Sequence, residues 1–398
     1  MSAAFFERPG WQGEPGLHAL VVGISAYPNL PVSSDLLKPE HFDMIQLASP
    51  ALTAFRIATL LKDRGPQLGV PLATCRLLLA PSEAELAVEP ALGGFAVPDW
   101  INFSAEAKAW REAAIADPHG MTLFYFAGHG LQRIKRDHVL VLSNFNDSVG
   151  GSLASKGVNV DHLFDGMAAS EGQESIARTQ WYFFDTCRIQ PEVFKQHEIM
   201  GVGSFWDIKT VPAKEERLLP SFFASKPGGL AFAKPGRETL FGGALLKCLE
   251  GGAGVPANET DLEGPDWVVS LASLPKALKR HIDLANRDEE GAQEMLAQNL
   301  DGDFVLLRLE GPPDVAVSLA IDPEPAAAVA RVSVVDADNS LRDFIPFDPN
   351  PFQTKLPAGV LRIRVIVEPA EPKLHPRLQK LFFILPPAVP LPLGLSRE

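Results

Sequence analysis

Two short apolar runs, each ending in a reactive side chain, constrain the fold of this chain more than any other feature. Residues 123–130 read Leu-Phe-Tyr-Phe-Ala-Gly-His-Gly, and residues 181–188 read Trp-Tyr-Phe-Phe-Asp-Thr-Cys-Arg. Continuous apolar character predicts strands that are covered on both faces, as in a parallel sheet. Because sites in such sheets form beyond the carboxyl ends of the strands, neighbouring strands would place His129 beside Cys187. An imidazole beside a thiol favours a thiolate nucleophile.

The segments around these runs predict an α/β fold. Apolar residues 17–24 and 74–80 predict two more buried strands, and the segment between them predicts a helix that begins near Ser49-Pro50. Strand, helix and strand in this order indicate a right-handed crossover and a parallel pair. Further helices are predicted at 104–117, 160–169, 239–249 and 274–285, further strands at 138–142 and 303–309, and a strand and turn at 221–228. We therefore expect a mainly parallel sheet flanked by helices.

The pattern changes after Gly311-Pro312-Pro313, which resembles a linker. Beyond it, short apolar stretches alternate with Pro-rich turns and no helical periodicity is evident, which is typical of a small antiparallel β-domain. The predicted strands are residues 315–321, 330–335, 356–367 and 378–385. We predict a first domain over residues 1–310 and an immunoglobulin-like accessory domain over 314–398. The accessory domain carries no recognisable chemistry and is interpreted as a docking, regulatory or inhibitory module.

Composition excludes several classes of protein. A net charge of −13 argues against general affinity for nucleic acid or anionic membranes, which basic surfaces bind. Three cysteines are too few for a disulfide framework and fit a reducing cytosol. We find no signal peptide and no apolar stretch long enough for a membrane span, so a cytoplasmic location is expected.

The sequence predicts no cofactor. The cysteines and histidines lack the spacing of metal ligands, and the glycine pairs lack the context of a phosphate-binding loop. No metal site is therefore predicted, although a calcium requirement cannot be read from the sequence. His138, His162, His197 and His281 show no paired pattern and are interpreted as surface or structural residues.

A thiol hydrolase needs more than a nucleophile and a base. The scissile carbonyl oxygen must meet fixed N–H donors as it becomes an oxyanion. Gly130 follows His129 directly, and a glycine there lets its backbone N–H approach a substrate unobstructed. The backbone N–H of Cys187 is the natural second donor.

These residues carry a family pattern. Residues 124–130 and 185–188 resemble the catalytic-histidine and catalytic-cysteine motifs of the caspase/metacaspase superfamily of cysteine peptidases (peptidase C14 type), in the same chain order. Residues 18–24 resemble the opening strand of that family, and 223–228 resemble a later strand beside the substrate groove. The resemblance covers about residues 15–310. It implies a caspase-haemoglobinase fold and endopeptidase activity on protein substrates, with His129 as base and Cys187 as nucleophile.

The residue two positions before the cysteine bears on specificity. Caspases that cut after Asp carry Gln there, whereas this chain carries Asp185, as metacaspase-like members do. A carboxylate suits a P1 guanidinium, so we predict cleavage after Arg or Lys. Arg188 departs from the metacaspase pattern and is more caspase-like. A second acidic wall of the S1 pocket would come from the loop after the first strand, where Asp35 and Asp43 are unranked candidates.

Regulation and an alternative function remain open at this point. The segment 188–220 contains Lys195, Lys209, Lys214 and Arg217, at which an Arg/Lys-specific zymogen could be cut by itself or by an activating protease. The family analogy extends to stress, defence or cell-death pathways, with a regulatory protein as a further partner. The alternative is a non-catalytic caspase-fold adaptor that acts through its C-terminal β-domain.

Overall fold

The computed structural model divides the chain into two compact units. The first comprises Met1–Leu246 and Ile282–Asp303, and the second comprises Lys247–His281 and Phe304–Glu398. The boundary predicted near residue 310 stays a prediction, and the second unit takes in an earlier stretch of chain as well. The structure describes residues 4–11, 13–132, 138–145, 157–169, 175–188, 190, 216–229, 231, 233, 236–258, 266–286, 292–336, 340–344, 347, 349–367 and 377–395.

A seven-stranded, mainly parallel sheet forms the centre of the first unit, in the order β1-β3-β2-β4-β8-β9-β12. Its strands are β1 Phe6–Glu7, β2 Leu17–Ile24, β3 Leu72–Ala80, β4 Met121–Gly128, β8 Thr179–Thr186, β9 Ser221–Phe223 and β12 Leu296–Gln298. The five inner strands pair in parallel, and the edge strands β1 and β12 pair antiparallel. The predicted α/β fold class is confirmed.

A small antiparallel sheet follows β4 directly. It consists of β5 Gly130–Gln132, β6 His138–Val141 and β7 Gly157–Asn159, in chain order. Since β5 begins one residue after His129, the chain changes sheets at the predicted catalytic histidine.

Helices cover both faces of the large sheet. The described α-helices are α1 Pro50–Asp63, α2 Glu83–Val88, α3 Trp100–Ala116, α4 Val160–Gly166, α5 Leu240–Lys247 and α6 Leu274–Ala285, the last of which contains residues of both units. The sequence did not predict α2, which Ser82 and Glu85 hold in a reciprocal capping arrangement. Close packing explains Gly23, because a Cβ there would lie 2.7 Å from the Pro50 carbonyl oxygen of α1.

Alternation along β4 and β8 sorts their side chains between the two layers of helices. The rings of Phe124, Tyr182 and Phe184 meet Trp110 of α3 and Phe164 of α4. Tyr125 faces the opposite layer, because a Cβ on Gly242 of α5 would meet both its hydroxyl and Thr53 of α1. Consecutive residues at the end of β8 therefore lie alternately in the layer of α1 and α5 and in the layer of α3 and α4.

The described residues of the second unit form three small sheets. Their strands are β10 Val255–Pro256, β11 Trp267–Ser270, β13 Val305–Leu309, β14 Asp314–Asp322, β15 Ala330–Val335, β16 Leu341–Phe344, β17 Phe352–Pro357, β18 Gly359–Val367, β19 Arg377–Ile384 and β20 Ala388–Gly394. The sheet orders are β10-β11-β13, β17-β14-β20 and β16-β15-β18-β19. Pairing is antiparallel except between β14 and β20, a parallel pair that the antiparallel prediction did not include. Inward residues of the sheets share one core, to which Trp267 belongs.

Candidate active site

His129 and Cys187 lie at corresponding positions on adjacent strand tips. Strands β4 and β8 pair in parallel up to Gly128 and Thr186, and each predicted catalytic residue follows directly after that last pair. Both side chains are partly buried. The register therefore brings the two residues to the same edge of the sheet, as the apolar runs predicted.

Backbone and aromatic contacts fix the imidazole of His129. Its Nε2 lies 2.6 Å from the carbonyl oxygen of Ile45, and a carbonyl can only accept, so Nε2 carries the proton. This leaves Nδ1 as the basic nitrogen. The ring centroid of Tyr27 lies 4.9 Å from that of His129.

The hydroxyl of Tyr27 holds the backbone of the same residue. It accepts a hydrogen bond from the His129 N–H at 2.8 Å and donates to the carbonyl oxygen of Val141 at 3.3 Å. Tyr27 is fully buried, so neither partner can exchange this contact for water. Tyr27 and Ile45 were not predicted from the sequence, since neither residue type indicates chemistry by itself.

The local environment keeps His129 neutral. Burial lowers the pKa of its imidazole to about 4, and the hydrogen bond to the Ile45 carbonyl offsets only part of that effect. Nδ1 of a neutral imidazole keeps a free lone pair and can accept a proton, as a general base must.

Cys187 rests as a thiol. Burial raises its pKa, the Ala231 amide acts in the opposite direction, and the nearby Asp185 raises it further. The Ala231 N–H donates to Sγ at 3.1 Å, and Sγ lies 3.7 Å from the Ala231 carbonyl oxygen. Cys75 and Cys248 are both fully buried. Cys187 is thus the accessible thiol among the three, and it requires a base to ionise.

Gly130 packs directly on the cysteine strand. A Cβ at this position would lie 2.4 Å from the Cys187 carbonyl oxygen and 2.7 Å from Thr186 Oγ1. Gly130 lies opposite Leu140, and the Val141 N–H donates to the His129 carbonyl, so this is a non-hydrogen-bonded pair. The Gly130 N–H consequently points away from β6, as an oxyanion donor would require.

Asp185 lies buried in the layer of α1 and α5, with 3% of its surface exposed. Its Oδ2 accepts hydrogen bonds from the hydroxyls of Tyr125, at 2.8 Å, and Thr239. Its Oδ1 has no hydrogen-bond partner in the described part of the chain. Burial raises the pKa of the carboxyl to about 6, although hydrogen bonds from Thr239, Tyr125 and the Gly242 backbone act against that shift.

Thr186 turns to the opposite layer and meets a second buried group. Its Oγ1 lies 2.9 Å from Nε2 of His138, which is 3% exposed. Burial, together with the nearby Arg188, lowers the pKa of His138 to about 3. The Arg188 guanidinium lies 5.0 Å from the centroid of the Phe223 ring. His138 is thus a buried structural residue beneath the cysteine, and Thr186 was not singled out from the sequence.

The comparisons with known proteins identify the family. The peptidase C14 caspase domain model matches residues 17–263. The chain belongs to the caspase domain family. The resemblance of the two motifs is thereby confirmed, and family membership supports a protease function.

Solved structures similar to this caspase-family chain share little sequence with it. A protein from Geobacter sulfurreducens is 14% identical, with a TM-score of 0.42, over 71% of this chain and 93% of that one. Caspase-1 from Spodoptera frugiperda is 10% identical, also with a TM-score of 0.42, over 78% of this chain and 98% of that one. No curated protein matches the chain.

The remaining predictions concern the S1 pocket, the processing sites, metal binding and membrane spans. Asp35 and Asp43 are exposed, and Asp43 lies two residues before Ile45. Lys195, Lys209 and Lys214 lie outside the described residues. Where side chains are described, no cluster of three His, Cys, Asp or Glu residues could hold a metal ion. Nor is any helix in those ranges long and apolar enough to cross a membrane.

Proposed function

We propose that the chain is a cysteine endopeptidase that cleaves after Arg or Lys through a His129–Cys187 dyad. The observation that carries the proposal is the register of β4 and β8, which ends both strands one residue before the dyad. The neutral imidazole and the protonated thiol are the protonation states from which the first step of such a reaction begins.

In the proposed reaction, Nδ1 of His129 takes the thiol proton and Sγ of Cys187 attacks the scissile carbonyl carbon. The developing oxyanion accepts hydrogen bonds from the N–H groups of Gly130 and Cys187, each contributing about 2.7–4 kcal/mol by analogy with known oxyanion holes. His129 then protonates the departing amine. Water, deprotonated by the same imidazole, hydrolyses the thioester and regenerates the thiol.

Asp185 is proposed as the group that selects a basic P1 residue. Two hydroxyls already occupy Oδ2, so an incoming guanidinium or ammonium would contact Oδ1, which lacks a partner among the described residues. A bound cation would hold the carboxylate ionised despite its burial. A P1 Asp would instead place a second negative charge beside it.

Processing after the cysteine is part of the proposal. Arg217 is a poor site for it, since its Nη1 donates to the Phe164 carbonyl oxygen at 2.7 Å and the side chain is partly buried. Lys195, Lys209 and Lys214 are therefore the preferred sites. Mass spectrometry of an active chain that stays intact throughout the assay would remove the processing step.

The dyad is tested with fluorogenic peptides that differ only at P1 (Arg, Lys or Asp). The order expected for kcat/KM is Arg, then Lys, with Asp inactive. Cys187→Ala and His129→Ala should abolish turnover, and Cys75→Ala serves as the matched control because that thiol is buried in β3. Cleavage after Asp alone would refute the assignment of Asp185.

Activity is also measured with calcium and after limited proteolysis, since either could be required. A folded chain that is inactive under all these conditions would favour the non-catalytic adaptor. Iodoacetamide labelling checks the site independently of turnover: Cys187 should react, whereas buried Cys75 and Cys248 should not.

A further inference from the structure

The outward face of the sheet β16-β15-β18-β19 is basic, in a chain whose net charge is −13. Alternation along the strands places four exposed arginines on this face, and the same face carries one acidic residue, Asp343. We call this surface the arginine face; its arginines are Arg331, Arg362, Arg364 and Arg377.

Strand register defines the layout of the arginine face. Arg362 lies between Val335 and Leu381, and Leu341 continues that row on β16. The next row contains Arg364, whose Nη2 lies 3.4 Å from Gln379 Oε1. No ion pair involves any of the four arginines within the described ranges. The four positive charges are thus grouped on one face, and none of them is ion-paired there.

Large apolar side chains accompany the charges. Leu341 is 61% exposed, Leu381 66% and Phe383 50%. Leu381 and Phe383 belong to β19, which pairs with β18 along its whole length from Arg377 to Ile384. In the described part of the unit, nothing pairs with the other edge of β19. An eight-residue edge with exposed apolar side chains offers unpaired backbone groups to another strand.

We propose that β19 and the arginine face dock an extended, acidic and apolar segment of a partner protein, which adds to the sheet as a further strand. Backbone hydrogen bonds along β19 would supply affinity, while carboxylates next to Arg377 and Arg364 and apolar residues next to Leu381 and Phe383 would supply specificity.

Charge argues against a second copy of this chain as the occupant. Strand β19 carries Arg377 and Lys380 and no acidic residue, so an identical strand would bring two further positive charges and no carboxylate to the arginine face. A lipid surface would match the arginines and the exposed apolar residues but would leave the backbone of β19 unpaired. An acidic strand satisfies all three features.

The test uses the full chain carrying Cys187→Ala, so that no peptide is cut. Fluorescence anisotropy measures binding of a labelled eight-residue peptide of alternating Glu and Val, with the alternating Lys and Val peptide as its counterpart. The Glu peptide should bind, and at least tenfold more weakly at 0.5 M than at 0.05 M salt. Equal binding of the two peptides would overturn the proposal, as would no binding of either.

Variants then locate the site. Arg362→Glu with Arg364→Glu should weaken binding of the Glu peptide at least tenfold. Arg308→Glu, an exposed arginine of β13 in the same unit, should leave it unchanged. Equal loss in both proteins would refute the arginine face as the site.

Peptide chemistry tests strand addition. N-methylation of alternate residues removes the N–H groups along one edge of an extended peptide. One of the two N-methylation registers should abolish binding and the other should preserve it. Insensitivity to both would contradict strand addition. Binding of phosphatidylserine vesicles that is lost in the double variant, without peptide binding, would assign the face to a membrane instead. None of these outcomes depends on peptidase activity.

Discussion

The two faces of the sheet at the end of β8 each bury one titratable group, Asp185 on one face and His138 on the other, in different surroundings. On the α1 and α5 side, Asp185 receives two hydroxyl hydrogen bonds on one oxygen and none on the other within the described chain. On the α3 and α4 side, His138 contacts Thr186 and lies near the Arg188 guanidinium. Burial raises the pKa of the carboxyl to about 6 and lowers that of the imidazole to about 3.

This difference separates a binding role from a supporting role. The pKa of the carboxyl is raised to about 6, and one of its oxygens has no hydrogen-bond partner among the described residues, so a bound cation can still shift its ionisation. The His138 imidazole is neutral throughout the physiological range and already has the Arg188 guanidinium nearby. It therefore has a structural role. Asp185 raises the pKa of Cys187, whereas His138 contacts Thr186, the residue before the cysteine.

Asp185→Asn should have the largest effect. Without the carboxylate, kcat/KM for a P1 Arg peptide should fall by about 30-fold to 1,000-fold or more, since removing one partner of a buried charge pair costs about 2–5 kcal/mol. The ratio of P1 Arg to P1 citrulline rates should fall with it. Asp165→Asn, an exposed carboxylate on α4, is the matched control and should change neither quantity.

The same variant tests the pKa of Asp185. Because that pKa is raised from 3.8 to about 6, the folded state binds the proton more tightly than the unfolded state, and wild-type stability falls as pH rises through this window. Asp185→Asn should therefore gain up to about 3 kcal/mol over wild type between pH 4 and 7. Urea unfolding at the two pH values measures the gain, and a constant difference would contradict the shift.

Gly130→Ala perturbs the His138 side of the β8 tip by crowding the backbone there. The new Cβ would meet the Cys187 carbonyl, Thr186 Oγ1 and His138 Nε2, each within 2.8 Å. Since a backbone atom is among them, the two strand tips must move apart, and kcat should fall about 100-fold, as for a displacement of about 1 Å. Gly243→Ala on α5 is the control, because its nearest contact would be 3.4 Å away. Equal kcat in both variants would exclude this packing role.

The sequence predicted the strands and the polar residues at their tips far better than it predicted the contacts that hold His129. Strands β4 and β8 are continuous apolar runs, and their polar tips stand out for that reason. Tyr27 and Ile45 lie in an irregular loop, and their roles depend on a hydroxyl and a carbonyl oxygen brought to His129 by tertiary structure. Asp185 was predicted by its place before the cysteine, but its partner Thr239 comes from a distant helix terminus.

His138→Gln should remove part of the acid sensitivity of the fold. A histidine whose pKa is lowered by folding contributes its stability above the unfolded pKa of 6.5 and loses it as pH falls. At pH 5 the loss is about 2 kcal/mol for each such group, and His129 adds a similar amount. The variant should therefore lose less stability than wild type between pH 7 and 5. His162→Gln, an exposed histidine on α4, should retain the wild-type slope.

Tyr27→Phe should give the smallest effect. It tests whether the Tyr27 hydroxyl helps to position His129. The ring stays, but the His129 N–H and the Val141 carbonyl lose their shared partner at a cost of about 1–3 kcal/mol. We expect kcat to fall about tenfold with KM unchanged, because only the placement of the base is altered. Tyr182→Phe removes another buried hydroxyl, bound to Gln180 and distant from the base, and should lower stability without lowering kcat. If both variants lose kcat equally, Tyr27 stabilises the fold and does not position His129.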